Sequence, residues 1–261
     1  MSKRQLNGKR AIITGASSGI GRALARQLAA RGVQLVITAR RADRLELLTR
    51  EISAPGVRVV PVAGDITNAA LRQRLIDAVA RELGGLDILV NNAGVGAIGP
   101  FVTADPARLQ RIMDVNFFAP VALIRISLAL LQQGDQPIIV NVSSVLGHRA
   151  VPLKSEYCAS KFALHGFSDA LRAELAKPGI DLLLVSPSTT ESEFFDRVLE
   201  NKAKLRWRAW GAMPAARVAA KTVRAIQRGR HEIILTPGGK LLVWLDRLCP
   251  PLVNRLVERF G

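Results

Sequence analysis

A short apolar run, a glycine-punctuated turn and a helical pattern follow one another near the start of the chain. That order restricts the fold more than any other feature. Ala11-Ile12-Ile13 reads as a buried strand, TGASSGIG from Thr14 to Gly21 as the turn, and Arg22 to Arg31 as a helix. Glycines let backbone come close to a pyrophosphate, and the free N–H groups at a helix start favour negative charge there. Between a strand and a helix such a glycine pattern marks a dinucleotide site; elsewhere the same letters are a flexible loop. Gly15, Ser17, Ser18, Gly19, Ile20 and Gly21 are therefore expected cofactor contacts.

The rest of the chain keeps the alternation. Apolar runs predict strands over 11–14, 34–38, 58–62, 86–91, 137–143, 181–186 and 232–235, with helical patterns between them and long ones over 106–131 and 156–176. Alternation of this kind gives an α/β fold, a doubly wound parallel sheet of about seven strands with helices on both faces. A chain of 261 residues without a Ser/Gly-rich linker is expected to form one domain. That domain is taken as residues 1–239, with a variable loop over 189–213 and an amphipathic tail over 240–261. Trp207 and Trp210 in the loop suit a lid over a substrate.

Ser144, Tyr157 and Lys161 fall within VSSVLGHRAVPLKSEYCASK. Tyr157 and Lys161 are four apart and share a helix face. An ammonium beside a phenol favours the phenolate, so Tyr157 is expected to titrate below its ordinary range and to serve as general acid or base.

These motifs resemble those of the short-chain dehydrogenase/reductase family. TGxxxGxG is matched by Thr14, Gly15, Gly19 and Gly21, and NNAG by Asn91-Asn92-Ala93-Gly94. A serine thirteen residues before the tyrosine selects Ser144 over Ser143, Asn116 matches the family's helix-borne asparagine, and Asp65 in GDIT matches the aspartate near the adenine. The resemblance spans about Gly8 to about Gly239. It implies a Rossmann fold and an oxidoreductase that interconverts a carbonyl and an alcohol. In that scheme Tyr157 moves the proton and Ser144 orients the oxygen. Lys161 holds the nicotinamide ribose, and Asn116 positions a water beside Lys161. It also implies cofactor contacts at Asp65, Ile66, Asn92, Ala93, Gly94, Tyr157, Lys161, Pro187 and Ser192. The two long helices are the family's usual subunit interface, so a homodimer or homotetramer is expected.

Two departures from the pattern matter. The family's Pro-Gly after the sixth strand is Pro187-Ser188 here, which puts the backbone course in question. The carboxamide-binding threonine aligns with Ser192, with Thr189 and Thr190 as rivals. Cofactor choice is read after the second strand, where NAD-dependent members usually carry an acid. This chain has Thr38-Ala39-Arg40-Arg41 instead. Guanidinium groups suit a 2′-phosphate, so NADP(H) is expected ahead of NAD(H), with Arg40 the leading contact and Arg41 second.

The net charge of +16 points to anionic partners, and residues 197–261 alone carry fourteen Lys/Arg against four Asp/Glu. No nucleic-acid motif accompanies it, and aromatics are few, so nucleic acid is not an expected partner. The tail KLLVWLDRLCPPLVNRLVERFG is too short and charged to span a bilayer. It suits packing on the body or a second subunit, cover over the substrate mouth, or peripheral contact with an anionic membrane. His148, His165 and His231 lack metal-ligand spacing, so no metal is expected. Two cysteines, which sequence alone cannot pair and which suit a reducing compartment, and no apolar N-terminal segment suggest a cytoplasmic protein, with peripheral membrane contact as an option. The expected activity is NADP(H)-dependent turnover of a lipophilic ketone or aldehyde. The alternatives are a non-enzymatic NADP(H) sensor or a membrane-surface protein on the same fold.

Overall fold

The computed structural model describes residues 3–191, 193–194, 198–201 and 212–260. The first half runs β1 (Arg10–Thr14), α1 (Gly19–Ala29), β2 (Gln34–Ala39), α2 (Ala42–Ile52), β3 (Val59–Ala63), α3 (Ala69–Leu83) and β4 (Ile88–Asn91). The second half continues with α4 (Arg108–Met113), α5 (Ala119–Gln132), β5 (Ile138–Val142), α6 (Ser155–Glu174) and β6 (Asp181–Ser186). It closes with the short strands β7 (Thr190–Glu191) and β8 (Met213–Pro214), then α7 (Ala215–Gln227), β9 (Glu232–Ile234), α8 (Pro237–Leu248) and α9 (Pro250–Phe260).

Seven strands form one parallel sheet in the order β3-β2-β1-β4-β5-β6-β9. The expected doubly wound sheet is present. Each central strand is buried on both faces, as the continuous apolar runs require. Successive residues serve opposite layers. Ile13 and Val90 pack with Leu24 of α1 and Val218 of α7, while Ile12 and Leu89 pack with Leu75 of α3 and Leu123 of α5. The strand order reverses between β1 and β4, so a crevice opens beyond their C-terminal ends.

The long helix expected over 106–131 is interrupted. Between α4 and α5 the chain makes a π turn over Asp114–Phe118. Pro120 supplies the reason. Its nitrogen has no proton for the carbonyl of Asn116, and its ring crowds that carbonyl, so the ladder slips by one residue. The whole run Arg108–Gln132 is long and apolar enough to cross a membrane by length and composition. Here it is a packed helix, with Leu123, Ile124 and Leu131 buried against the sheet.

At the variable loop, β7 and β8 pair in parallel and draw the two loop ends together. The sequence reading expected no regular element there. Trp207 and Trp210 lie outside the described residues.

One buried ion cluster fixes α4 against α6. Arg108 is 1 % exposed and donates to Glu156 Oε1 from Nε at 2.9 Å and from Nη2 at 2.6 Å. Its Nη1 donates to Glu200 at 2.7 Å. Glu156 immediately precedes Tyr157, so the cluster seats the start of the helix that carries Tyr157 and Lys161. Removing the cation leaves a buried carboxylate without compensation. Arg108→Met is expected to destabilise the fold by about 3–5 kcal/mol. The readout is a lower denaturant midpoint at unchanged slope, and an unaltered midpoint would refute the role assigned to this pair.

Candidate active site

The crevice at the reversal of the sheet holds a cavity of about 1680 Å³. One end is a backbone cradle. Gly15 has φ +68°, and a Cβ there would come within 2.9 Å of the Ala93 Cα. A Cβ on Gly21 would lie 2.3 Å from the Gly15 carbonyl oxygen. Asn92 Nδ2 donates to the Thr14 carbonyl at 2.9 Å, while Thr14 Oγ1 accepts from the N–H groups of Asn92 and Ala93 at 3.0 Å each. The two motifs thus clamp each other. Ser18 is the N-cap of α1, and no acid occupies the first turn of that helix. This geometry fits a dinucleotide pyrophosphate.

Gly15, Ser17, Ser18, Gly19, Ile20, Arg40, Arg41, Asp65, Ile66, Asn92, Ala93, Gly94 and Pro187 all line the crevice, together with Ser144, Tyr157 and Lys161. Gly21 and Asn116 stand behind its wall. Ser192 lies outside the described residues. Ser188 takes no left-handed backbone; among the described non-glycine residues only Gln136 and Leu153 do. Serine therefore replaces the family glycine there without strain at that residue.

Ser144 is the N-cap of the short turn Val145–Gly147, where its Oγ accepts from Leu146 N–H at 3.1 Å. The same side chain hydrogen-bonds Tyr157. Lys161 Nζ donates to the Val142 carbonyl at 3.0 Å and sits 5.7 Å from the centre of the Tyr157 ring. Asn116 grips the backbone of Val95 twice, accepting from its N–H and donating to its carbonyl at 2.9 Å each. Its Nδ2 also donates to Ser160 Oγ on α6 at 2.9 Å. A Cβ on Gly94 would lie 3.4 Å from Asn116 Oδ1 and 3.8 Å from Lys161 Nζ, so these groups surround one spot.

The electrostatics depart from the sequence expectation. Burial pushes Tyr157 up to about 12, opposed by the Ser144 hydrogen bond. Burial also pulls Lys161 down to about 8. One edge of the Tyr157 ring opens to the crevice, but the chain encloses the phenol closely enough for desolvation to prevail. Spacing alone suggested that Lys161 would hold the tyrosine low. In the fold each group is stripped of water, and neither is stabilised in its charged form.

At the far end, Arg41 Nη2 donates to Ser17 Oγ at 3.0 Å and Ser18 Oγ at 2.9 Å. It also pairs with Glu193 at 2.9 Å, and Arg44 bonds the same carboxylate. The two guanidiniums hold Glu193 down at about 2. Arg40 is exposed beside them. The Asp65 carboxylate is engaged by its own turn, accepting from Thr67 N–H and Oγ1 at 2.9 Å each. Sequence reasoning missed Glu193, a single acid in a variable loop with no local signal. It also missed Phe194, whose ring centre lies 5.7 Å from that of Tyr157. Leu242, Leu245, Val253, Leu256 and Val257 of α8 and α9 form an apolar wall of the cavity. The leucine spacing of the tail carried that signal.

Lys161 gives a pH test with a definite sign. Its folded pKa lies below the ordinary value of 10.5, so the unfolded chain holds the proton more tightly. The stabilising share is therefore complete above about 10.5 and is lost as pH falls through about 8. Lys161→Met lacks this dependence. Relative to that variant, the wild-type chain should gain about 2 kcal/mol between pH 7 and pH 10, read from paired unfolding curves. Parallel curves at the two pH values would contradict the burial of a titrating amine here.

The family model described as short chain dehydrogenase matches residues 9–203. The chain is 33 % identical over 258 residues to dehydrogenase/reductase SDR family member 7B from Bos taurus, covering 94 % of this chain and 79 % of that one. Among solved structures it resembles a short chain dehydrogenase/reductase from Burkholderia phymatum in complex with NAD. There the TM-score is 0.87 at 29 % identity, over 95 % of this chain and 96 % of that one. It also resembles a short chain dehydrogenase from Burkholderia cenocepacia in complex with NADP, with a TM-score of 0.78 at 30 % identity, over 88 % and 96 % of the two chains.

Proposed function

This chain belongs to the short chain dehydrogenase family, and from that premise we propose that it is an NADP(H)-dependent reductase of a lipophilic ketone or aldehyde. A nicotinamide cofactor and oxidoreductase chemistry follow from the family and its nucleotide-bound structural neighbours. The observation that carries the finer reading is the Ser144–Tyr157 hydrogen bond, with Lys161 behind it, beneath the apolar wall of α8 and α9.

Bound nicotinamide supplies the hydride for reduction. Everything else is the work of side chains. With its pKa near 12, Tyr157 holds its proton at neutral pH and is ready to give it to a carbonyl oxygen. Ser144 accepts from Leu146 and turns its one O–H from Tyr157 to the substrate oxygen when the carbonyl enters, steadying that oxygen. Lys161, still mostly charged at pH 7, balances the phenolate formed as the proton leaves. Asn116, fixed to Val95 and Ser160, positions the water that resupplies the proton through Lys161. Glycines 15 and 94, with Asn92, would hold the cofactor backbone, and Lys161 the ribose.

The NADP(H) preference rests on Arg41 more than on Arg40. Arg41 already bridges the serine hydroxyls of the phosphate turn and pairs with a carboxylate, while Arg40 stands in solvent. A 2′-phosphate is the kind of dianion that Arg41 and Arg44 suit. For assembly, the reading keeps a homodimer or homotetramer. Only 39 % of the most apolar stretch of Arg108–Gln132 is buried within one chain, and Phe118 and Phe162 are exposed on neighbouring helices. Peripheral contact with an anionic membrane is supported by Leu241, Trp244 and Leu248, exposed on α8 beside Lys240 and Arg247. The non-enzymatic sensor is not favoured, because the acid–base set is complete.

Two measurements test this reading. On a panel of ketones and aldehydes followed by NADPH absorbance, Tyr157→Phe should lose at least about a hundredfold in kcat while nucleotide affinity barely moves. Wild-type kcat/KM should favour NADPH over NADH, and Arg41→Ala should erode that preference more than Arg40→Ala. A wild-type enzyme that prefers NADH would overturn the cofactor assignment.

A further inference from the structure

Beside the turn that follows Ser144 and one helical turn along α6 from Lys161, outside the lining of the crevice, three metal-competent side chains converge. His148 lies four residues past Ser144, and His165 lies four past Lys161 on α6. Their rings meet edge to face with centres 4.3 Å apart. Glu232, the first residue of β9, completes the group, and one donor atom from each of the three lies within 4.8 Å of the others. One of the atoms is orphaned: His165 Nδ1 is buried without a hydrogen bond. Glu232 Oε1 lies 2.8 Å from His148 Nε2, so these two donors already face each other. Buried polar atoms without partners are uncommon, and each calls for a physical reason.

We propose that His148, His165 and Glu232 bind a divalent transition metal, with Zn²⁺ the best match. Two imidazoles and a carboxylate suit zinc better than magnesium or calcium, which take oxygen donors. His165 is already arranged as a ligand. Its Nε2 faces Asp169 Oδ2 at 3.3 Å, which fixes the ring proton on that side and leaves the Nδ1 lone pair for the metal. Ser186 Oγ, 3.1 Å from His148 Nε2, is placed to hold a metal-bound water in the fourth position. The carboxylates of Glu232 and Asp169 offset the ionic charge, and Arg247 faces the same cluster and opposes it. Tetrahedral zinc needs donors about 3.4 Å apart, so small side-chain rotations close the site.

The bound ion would join three pieces of chain: the turn that follows Ser144, the helix that carries Lys161, and the edge strand β9. Its role is to brace the catalytic groups from outside the crevice; it does not touch substrate. This inference does not depend on the cofactor or substrate reading, and its test needs no activity.

The test uses untagged full-length protein stripped with a chelator. Zinc affinity is measured by competition with a chromophoric chelator, the Co²⁺-loaded form by visible absorption, and the melting temperature with and without zinc. The expected result is one ion per chain, a cobalt spectrum of low coordination number, and a higher Tm with zinc. His165→Gln and Glu232→Gln should each abolish the three signals, and Asp169→Asn should weaken affinity by about tenfold. If a variant fails to fold, stoichiometry and the cobalt spectrum of the wild-type chain still decide. Failure of the wild type to retain zinc overturns the proposal. So does binding that is equally strong in both ligand variants, which would assign the ion elsewhere, such as to exposed Cys249.

Discussion

The mutual clamp between the ends of β1 and β4 is the constraint on which the rest of the molecule depends. Thr14 and Asn92 exchange hydrogen bonds across the point where the sheet changes direction. The backbone there is packed so closely that Gly15 and Gly21 have no room for a side chain. This one junction closes the cradle, aims the start of α1 into the crevice and sets where β5 and α6 can deliver Ser144, Tyr157 and Lys161. The strands supply stability through two-sided burial, but the junction decides where the chemistry is.

Desolvation governs the chemistry delivered there. A phenol and an amine four residues apart on an exposed helix would be dominated by their mutual interaction. In this interior, loss of water outweighs it, and both are driven toward neutrality. The result is a site with its proton in place on the tyrosine, which suits giving one away. The Arg41–Glu193–Arg44 cluster works under opposite conditions. Near solvent its charges persist, and the carboxylate remains ionised in acid.

Much of this was legible in the sequence because the signals were local. The apolar runs for β1, β2 and β6 matched their strands closely, and most of the glycine turn and of NNAG line one crevice with the Ser-Tyr-Lys set. What escaped was nonlocal or depended on burial. The titration of Tyr157 could not be read from its distance to Lys161, since depth is a property of the whole fold. Glu193 reaches Arg41 across 152 positions of chain. His148 and His165 have no ligand-like spacing and meet Glu232 only because β9 joins the edge of β6. The π turn was the exception: Pro120 announced it, but the apolar periodicity around it was smooth enough to hide a one-residue slip.

That slip changes the rotational phase of everything after it. One residue corresponds to about 100° of helical rotation. With the extra residue absorbed over Asp114–Phe118, Asn116 points inward to Val95 and Ser160 while the stripe of Leu123, Ile124 and Leu131 still meets the sheet. A regular α-helix of this sequence could satisfy one of these demands but not both. The irregular turn works as a gearing between two surfaces, letting a polar anchor and an apolar seam share a single rod. Its extra residue is therefore as strictly determined as the identity of any side chain on it, and the same sequence wound as a regular α-helix would present the wrong face to the sheet with every amino acid of α5 unchanged.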